Sequence, residues 1–236
     1  MDVYSVPYSA TQLAGGNEWA KKLENPTLHR KTRRGYGLKK SKRKSKHETK
    51  KFTIIGANTN GLNLKRESFY SLVNTFQPTV ITLQETKFVH YRTVKLNGYE
   101  VFEALRTNKD GGGLLTAARL DTNPVFVEED GDSQILIIQI EVSGVKIRIF
   151  NAYGPQEYDH EAKKAFFWEK LEETVIKAKD EGCCILMELD AIGKVRGDII
   201  KGDPNDMSCN GKMLDDFVNR QKLLLGNASK KCQIQI

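Results

Sequence analysis

An α/β domain whose sheets carry helices on their outer faces is the fold class that the sequence predicts, on three observations. Short apolar runs at residues 52–57 (FTIIGA), 79–84 (TVITLQ) and 184–191 (CILMELDA) each lead into a polar motif. Segments with apolar residues on a 3.6-residue period lie between or after these runs. The middle of the chain, residues 99–150, is a series of β-branched and aromatic runs separated by short polar turns.

At 236 residues the chain has room for one or two domains and a substantial core. Its 39% apolar content is low, but the deficit is local. Residues 1–50 hold 13 Lys plus Arg against 4 Asp plus Glu, whereas the remaining 186 residues hold 24 against 26. The net charge of +7 therefore belongs to the first fifty residues, and the chain divides into a basic, intrinsically flexible N-terminal tail (1–50) and a folded domain (51–236).

Residues 1–28 are polar and mildly mixed in charge. From residue 29 the sequence reads HRKTRRGYGLKKSKRKSKHETK, a block that repels itself and offers little to bury. Its expected partners are the phosphates of DNA or RNA, through Arg30, Lys31, Arg33, Arg34, Lys39, Lys40, Lys42, Arg43, Lys44 and Lys46. Nuclear targeting and an acidic protein surface are the other readings, and a solubilising tail without a partner is the plain one.

Folding is expected to begin at residue 51. The strand 52–57 runs into NTNGLN, a turn signal, after which Asn63 caps a helix over 64–76 with Leu64, Phe69, Leu72, Val73 and Phe76 on its buried side. Pro78 stops the helix. The strand 79–84 follows, and Glu85 stands at its C-terminal end. Runs at 99–105, 113–118, 134–142 and 145–150 read as antiparallel strands, with 128–132 and Ser143-Gly144 as turns. After NAYGP a helix spans 159–181, burying Phe166, Phe167, Leu171, Val175, Ile176 and Ala178, and Gly182 ends it. A helix over 210–221 buries Met213, Leu214, Phe217 and Val218, and residues 222–225 (KLLL) form a late strand.

The stretch 184–191 organises the rest. It reads as a strand covered on both faces that brings Glu188 and Asp190 to one side, since side chains two apart share a face. Two carboxylates that close are costly without compensation, so they mark a candidate divalent-cation or acid/base site; a strand end running into a solvated loop is the plain alternative.

Four cysteines with no CxxC, two of them adjacent at Cys183 and Cys184, suit neither a disulfide scaffold nor a zinc knuckle. The expectation is a reducing intracellular compartment, the nucleus or a nucleic-acid-containing assembly. No apolar run approaches the roughly 20 residues of a membrane helix, and residues 1–10 lack the pattern of a secretory signal, so no membrane insertion is expected.

The succession NTNGL, LQETK, NAYGP, the strand ending in an acidic pair and then SCNGKMLDDFVNRQKLLLGN resembles the endonuclease/exonuclease/phosphatase superfamily, and within it the apurinic-type endonuclease domains of non-LTR retroelements. The resemblance covers residues 51 to about 227 and implies a four-layered α/β sandwich with mixed, mainly antiparallel sheets. It also implies phosphodiester cleavage with magnesium, or manganese in its place. Residue by residue, Asn58 matches the asparagine of the first motif, Glu85 the principal metal-binding glutamate and Tyr153 the tyrosine that touches the scissile phosphate. Met187 to Asp190 match the family's GD-x-N motif.

The chain departs from that pattern where Glu188 replaces aspartate and Asp190 replaces asparagine. The family's late aspartate and its Asp-His pair have no counterpart, and the family's last strands are expected to be missing. Residues 230–236 (KKCQIQI), an edge of the tail or partner subunits would then cover the incomplete sandwich. Two functions follow: a divalent-metal-dependent, endonuclease-like domain of weakened or lost activity, with Asn58, Tyr153, Glu188 and Asp190 as catalytic groups, or an inactive relic that binds nucleic acid or builds a large assembly and needs no cofactor.

Overall fold

The structure, a computed structural model, describes residues 8–12, 52–90, 94–106, 112–129, 134–191 and 207–225. Its strands are β1 (Tyr8–Gln12), β2 (Ile54–Asn58), β3 (Val80–Gln84), β4 (Tyr99–Ala104), β5 (Leu114–Arg119), β6 (Val125–Glu129), β7 (Ile135–Val142), β8 (Val145–Tyr153), β9 (Cys184–Asp190) and β10 (Leu224–Leu225). The helices are α1 (Arg66–Phe76), α2 (Glu161–Asp180) and α3 (Cys209–Gln221). One sheet has the order β2-β3-β5-β4; the other runs β10-β1-β9-β8-β7-β6.

Alternation along the strands builds three apolar layers. On β3, Ile81 and Leu83 turn outward onto Phe69 and Val73 of α1. Val80 of the same strand turns inward, where it meets Ala118, Ile138, Ile149 and Leu186 between the two sheets. On β9, Ile185, Met187 and Leu189 turn outward beneath α2 and α3, against Phe167, Trp168, Leu171, Leu214 and Phe217. The result is helix, sheet, sheet, helix, the α/β sandwich that the sequence predicts, with mixed and mainly antiparallel pairing: β2–β3 and β8–β9 are parallel, the other pairs antiparallel. No helix among the described residues is long and apolar enough to cross a membrane.

The chain signals act largely as expected. Ser143 and Gly144, both at positive φ, close the β7–β8 hairpin. Gly182 sits at φ +71° just past α2, where the amide of Cys183 bonds back to the carbonyl of Ala178 and ends the helix. Ser208 caps α3 by accepting from the amide of Gly211 at 3.1 Å.

Three expectations need correction. Leu64 lies in a 3-10 turn, Asn63–Lys65, with no side-chain cap from Asn63, and is 98% exposed. Within α1 the buried face narrows to Phe69 and Val73, which leaves Leu72 at its edge and Phe76, the last residue of the helix, exposed. On α2 the inward stripe runs through Phe167, Trp168, Leu171, Val175 and Ala178, leaving Phe166 and Ile176 exposed. Finally, residues 128–132 do not simply form a turn: Glu128 and Glu129 belong to β6, whose pairing with β7 shifts between Phe126 and Glu128. That irregular register breaks the strict alternation that marks a strand in sequence.

The tail contributes to the fold. Tyr8–Gln12 lies between β9 and β10, antiparallel to both, with Tyr8 opposite Leu189 and Gln12 opposite Ile185. An edge of the tail thus takes the place beside β9, whereas residues 230–236 lie outside the described residues, as do Arg30 to Lys46.

Candidate active site at the sandwich rim

The C-terminal ends of β2, β3, β8 and β9 meet at one rim because these strands share a direction within their sheets, and each apolar run hands over to a polar residue there. The ends carry Asn58, Glu85, Tyr153 and Asp190. Asn58 Nδ2 donates to Glu85 Oε1 at 2.9 Å and to Asp190 Oδ2 at 2.6 Å. The hydroxyl of Tyr153 donates to the same Glu85 Oε1 at 2.8 Å and accepts from Gln156 Nε2 at 2.7 Å.

The orientation of the Asn58 amide follows from its other end. Asn58 Oδ1 accepts the backbone N–H of Asn60 at 2.9 Å, so the amino group has to face the two carboxylates. Glu85 is presented by a left-handed backbone, φ +49°, a conformation that costs a non-glycine residue about 1–2 kcal/mol. Its carbonyl offsets that cost by accepting the amide of Gly61 at 2.7 Å and the hydroxyl of Thr59 at 3.0 Å. Lys87, also at positive φ, places Nζ 3.9 Å from Glu85 Oε2 and donates to Asn60 Oδ1.

Burial raises the Asp190 carboxyl above the usual carboxylate range; the bond from Asn58 lowers it, and the charge on Glu85 raises it again. Burial, followed by the bond to Glu85, holds the Tyr153 phenol well above its ordinary value, so it remains a proton donor. Glu188 shares the inward face of β9 with Asp190 but lies one step deeper. It is 7% exposed, and burial pushes its carboxyl up to about 8. Among the described residues no hydrogen bond joins it to Asn58, Glu85 or Tyr153.

The four residues Asn58, Glu85, Tyr153 and Asp190 are therefore brought together, and Glu188 is set apart from them. Gln156, Asn60 and Lys87 are not assigned a role by the sequence, although Asn60 lies within NTNGL, Lys87 within LQETK, and Gln156 directly follows NAYGP. A polar residue three after Tyr153 and a lysine two after Glu85 were the available signals.

Magnesium takes oxygen donors at about 2.1 Å and is commonly held by one or two carboxylates with water and phosphate. Glu85 and Asp190 are suitable oxygens, but an N–H donor stands between them, fixed there by Asn60. An ion shared by the two acids does not fit this arrangement. Among the described residues no group of three or more His, Cys, Asp and Glu side chains could hold a metal.

Solved structures of other proteins share this four-layered sandwich. The chain is similar to an AP endonuclease from Leishmania major (TM-score 0.59, 13% identity, 72% of this chain and 66% of that one). It is similar also to the APE2 catalytic domain of Xenopus laevis (TM-score 0.59, 15% identity, 70% and 67%). The endonuclease domain of TRAS1, a telomere-specific non-LTR retrotransposon, matches at TM-score 0.53 with 13% identity over 72% of each chain. Among curated proteins, exodeoxyribonuclease III of Haemophilus influenzae is 29% identical over 150 residues, 57% of this chain; the chain spans about half the length of that relative, 55%. No protein-family model matches the chain.

Proposed function

We propose that this chain is a nuclease-fold domain that binds nucleic acid without cutting it, serving as a binding or structural subunit of a larger assembly. The observation that carries this reading is the clasp at the rim, in which the Asn58 amide holds Glu85 and Asp190 together. Phosphodiester cleavage needs the developing negative charge to be neutralised by preorganised groups. Here a second acid, Asp190, stands where the resemblance calls for a neutral amide, and it repels a phosphate. The amide and the phenol that would address the phosphate are both committed to Glu85.

The nucleic-acid class is supported by what the similar proteins are named for, AP endonucleases, an exodeoxyribonuclease and a retrotransposon endonuclease domain. The motif order of the retroelement-type domains points the same way. In this reading the basic residues Arg30 to Lys46 supply the affinity and direct the chain to the nucleus or to a nucleic-acid-containing particle.

The test is a nicking assay with magnesium or manganese on plasmid and abasic duplex, with Glu85→Ala as the control for contaminating enzyme. The expected result is equal, background cutting by both proteins alongside measurable duplex binding. Cutting by the unmodified chain that disappears in Glu85→Ala would establish the metal-dependent endonuclease instead.

A further inference from the structure

Beneath the rim, β2 and β9 face each other across the gap between the sheets in two successive rungs. The upper rung is Asn58 and Asp190, joined at 2.6 Å. The lower rung lies two residues earlier on each strand and so on the same faces: Gly56 and Glu188. A Cβ built on Gly56 would stand 2.7 Å from Glu188 Oε2, 3.0 Å from its Cδ and 3.1 Å from Thr82 Oγ1. The Glu188 carboxyl therefore occupies the volume that any other residue at position 56 would claim with its own side chain.

Three features make this more than close packing. Glu188 is almost completely buried and aimed across the gap, whereas its neighbours Leu186 and Ile149 fill the same layer with hydrocarbon. Thr82, opposite Gly56 in the β2–β3 pairing, has its buried Oγ1 without a hydrogen-bond partner, so the polar end of Glu188 enters a polar spot. Aspartate at 188 would end one methylene short, by about 1.5 Å, and leave the floor under Asn58 unfilled. Such a shift is well beyond the roughly 0.5 Å spread of hydrogen-bond lengths.

We propose that Glu188 is a positioning residue: seated against the bare backbone of Gly56, it spaces β2 from β9 and so sets the Asn58–Asp190 contact, without itself joining the rim. The inference does not depend on what the rim binds, because its readout is the Asn58 amide itself. Gly56 has no positive φ, so alanine there strains no backbone and presses on Glu188 first, and less closely on Thr82 Oγ1.

The test follows the side-chain amide of Asn58 by NMR in the full chain, its signal being identified by its loss in Asn58→Ala. Exchange of its protons with solvent should quicken at least tenfold in Glu188→Ala and in Gly56→Ala, relative to backbone amides of β8 in the same sample. Glu188→Gln, of equal length, should stay within twofold of wild type. Gly56→Ala combined with Glu188→Asp should recover much of the protection, since the shorter arm makes room for the added methyl. Unchanged Asn58 exchange in Glu188→Ala would overturn the proposal, and so would equal acceleration of the β8 amides, which marks general loosening. Should Gly56→Ala fail to fold, the Glu188→Ala and Glu188→Gln pair decides.

Discussion

Tyr153, at the end of β8, and Glu85, just past the end of β3 in the other sheet, share a hydrogen bond of 2.8 Å that closes the rim from the β8 side. The phenol donates to a carboxylate oxygen that already accepts from Asn58, and Gln156 fixes it from behind. Removing the hydroxyl in Tyr153→Phe is expected to cost about 1.5–3 kcal/mol, the range for a hydrogen bond to a charged acceptor. Urea unfolding of the two proteins measures it. A spectrophotometric titration should also lose its latest-ionising tyrosine in the variant, because burial and Glu85 both disfavour the phenolate of Tyr153.

Asn58 contributes three side-chain hydrogen bonds, two donated and one accepted. Asn58→Ala leaves Glu85 and Asp190 facing each other without an intervening donor, and a loss of about 2–4 kcal/mol is expected. Adding Asp190→Asn should restore part of this by removing the repulsion. A double-mutant cycle in denaturant unfolding yields the coupling.

Glu188 gives the protein a pH dependence of definite sign. Its folded-state carboxyl is raised to about 8, above the ordinary 4.5, so the folded state holds a proton that the unfolded chain releases first. The stabilisation is complete below the unfolded value, declines as pH rises from about 4.5 to 8, and is gone above that. Glu188→Gln should remove this slope, leaving the variant more stable than wild type at pH 8 by a few kcal/mol. Unfolding free energies across pH 5 to 9 for both proteins check it, with equal slopes counting against the assignment.

Asp190→Asn removes a negative charge from the rim while keeping an oxygen for Asn58. Duplex affinity at low salt should rise severalfold, and the gain should shrink as salt screens the repulsion. Cutting is not expected to return. Fluorescence anisotropy across a salt series, run beside the nicking assay, reads both.

Substituting glutamine for the ten basic residues between Arg30 and Lys46 should weaken duplex binding and flatten its salt dependence, each lost phosphate contact lowering the slope by about 0.9. Substitution is the appropriate change here, because deleting residues 1–50 also removes Tyr8–Gln12 from its place beside β9. An unchanged slope would place the binding elsewhere.

The layers and the rim were readable because each depends on local pattern. Apolar runs such as 79–84 and 184–189 can only be buried, and the polar residues that end them, Glu85 and Asp190, must then stand at strand ends. What could not be read are features set by contacts distant in sequence. The separation of Glu188 from Asp190 depends on Gly56, more than 130 residues away, offering no side chain. The clasp between Glu85 and Asp190 depends on Asn60 turning the amide of Asn58. The exposure of Leu64 and Phe166 came from a 3-10 turn and from helix rotation, which apolar spacing alone does not distinguish.

The pairing of β1 with β9 also governs the order of events during synthesis. Tyr8 lies opposite Leu189, so this strand leaves the ribosome roughly 180 residues before its partner, an interval of about 10–35 s at ordinary elongation rates. Such a distant pairing is slow to close and belongs late in folding. Throughout that interval β1 has no neighbour to pair with, so the larger sheet is completed only once β9 and β10 have been made.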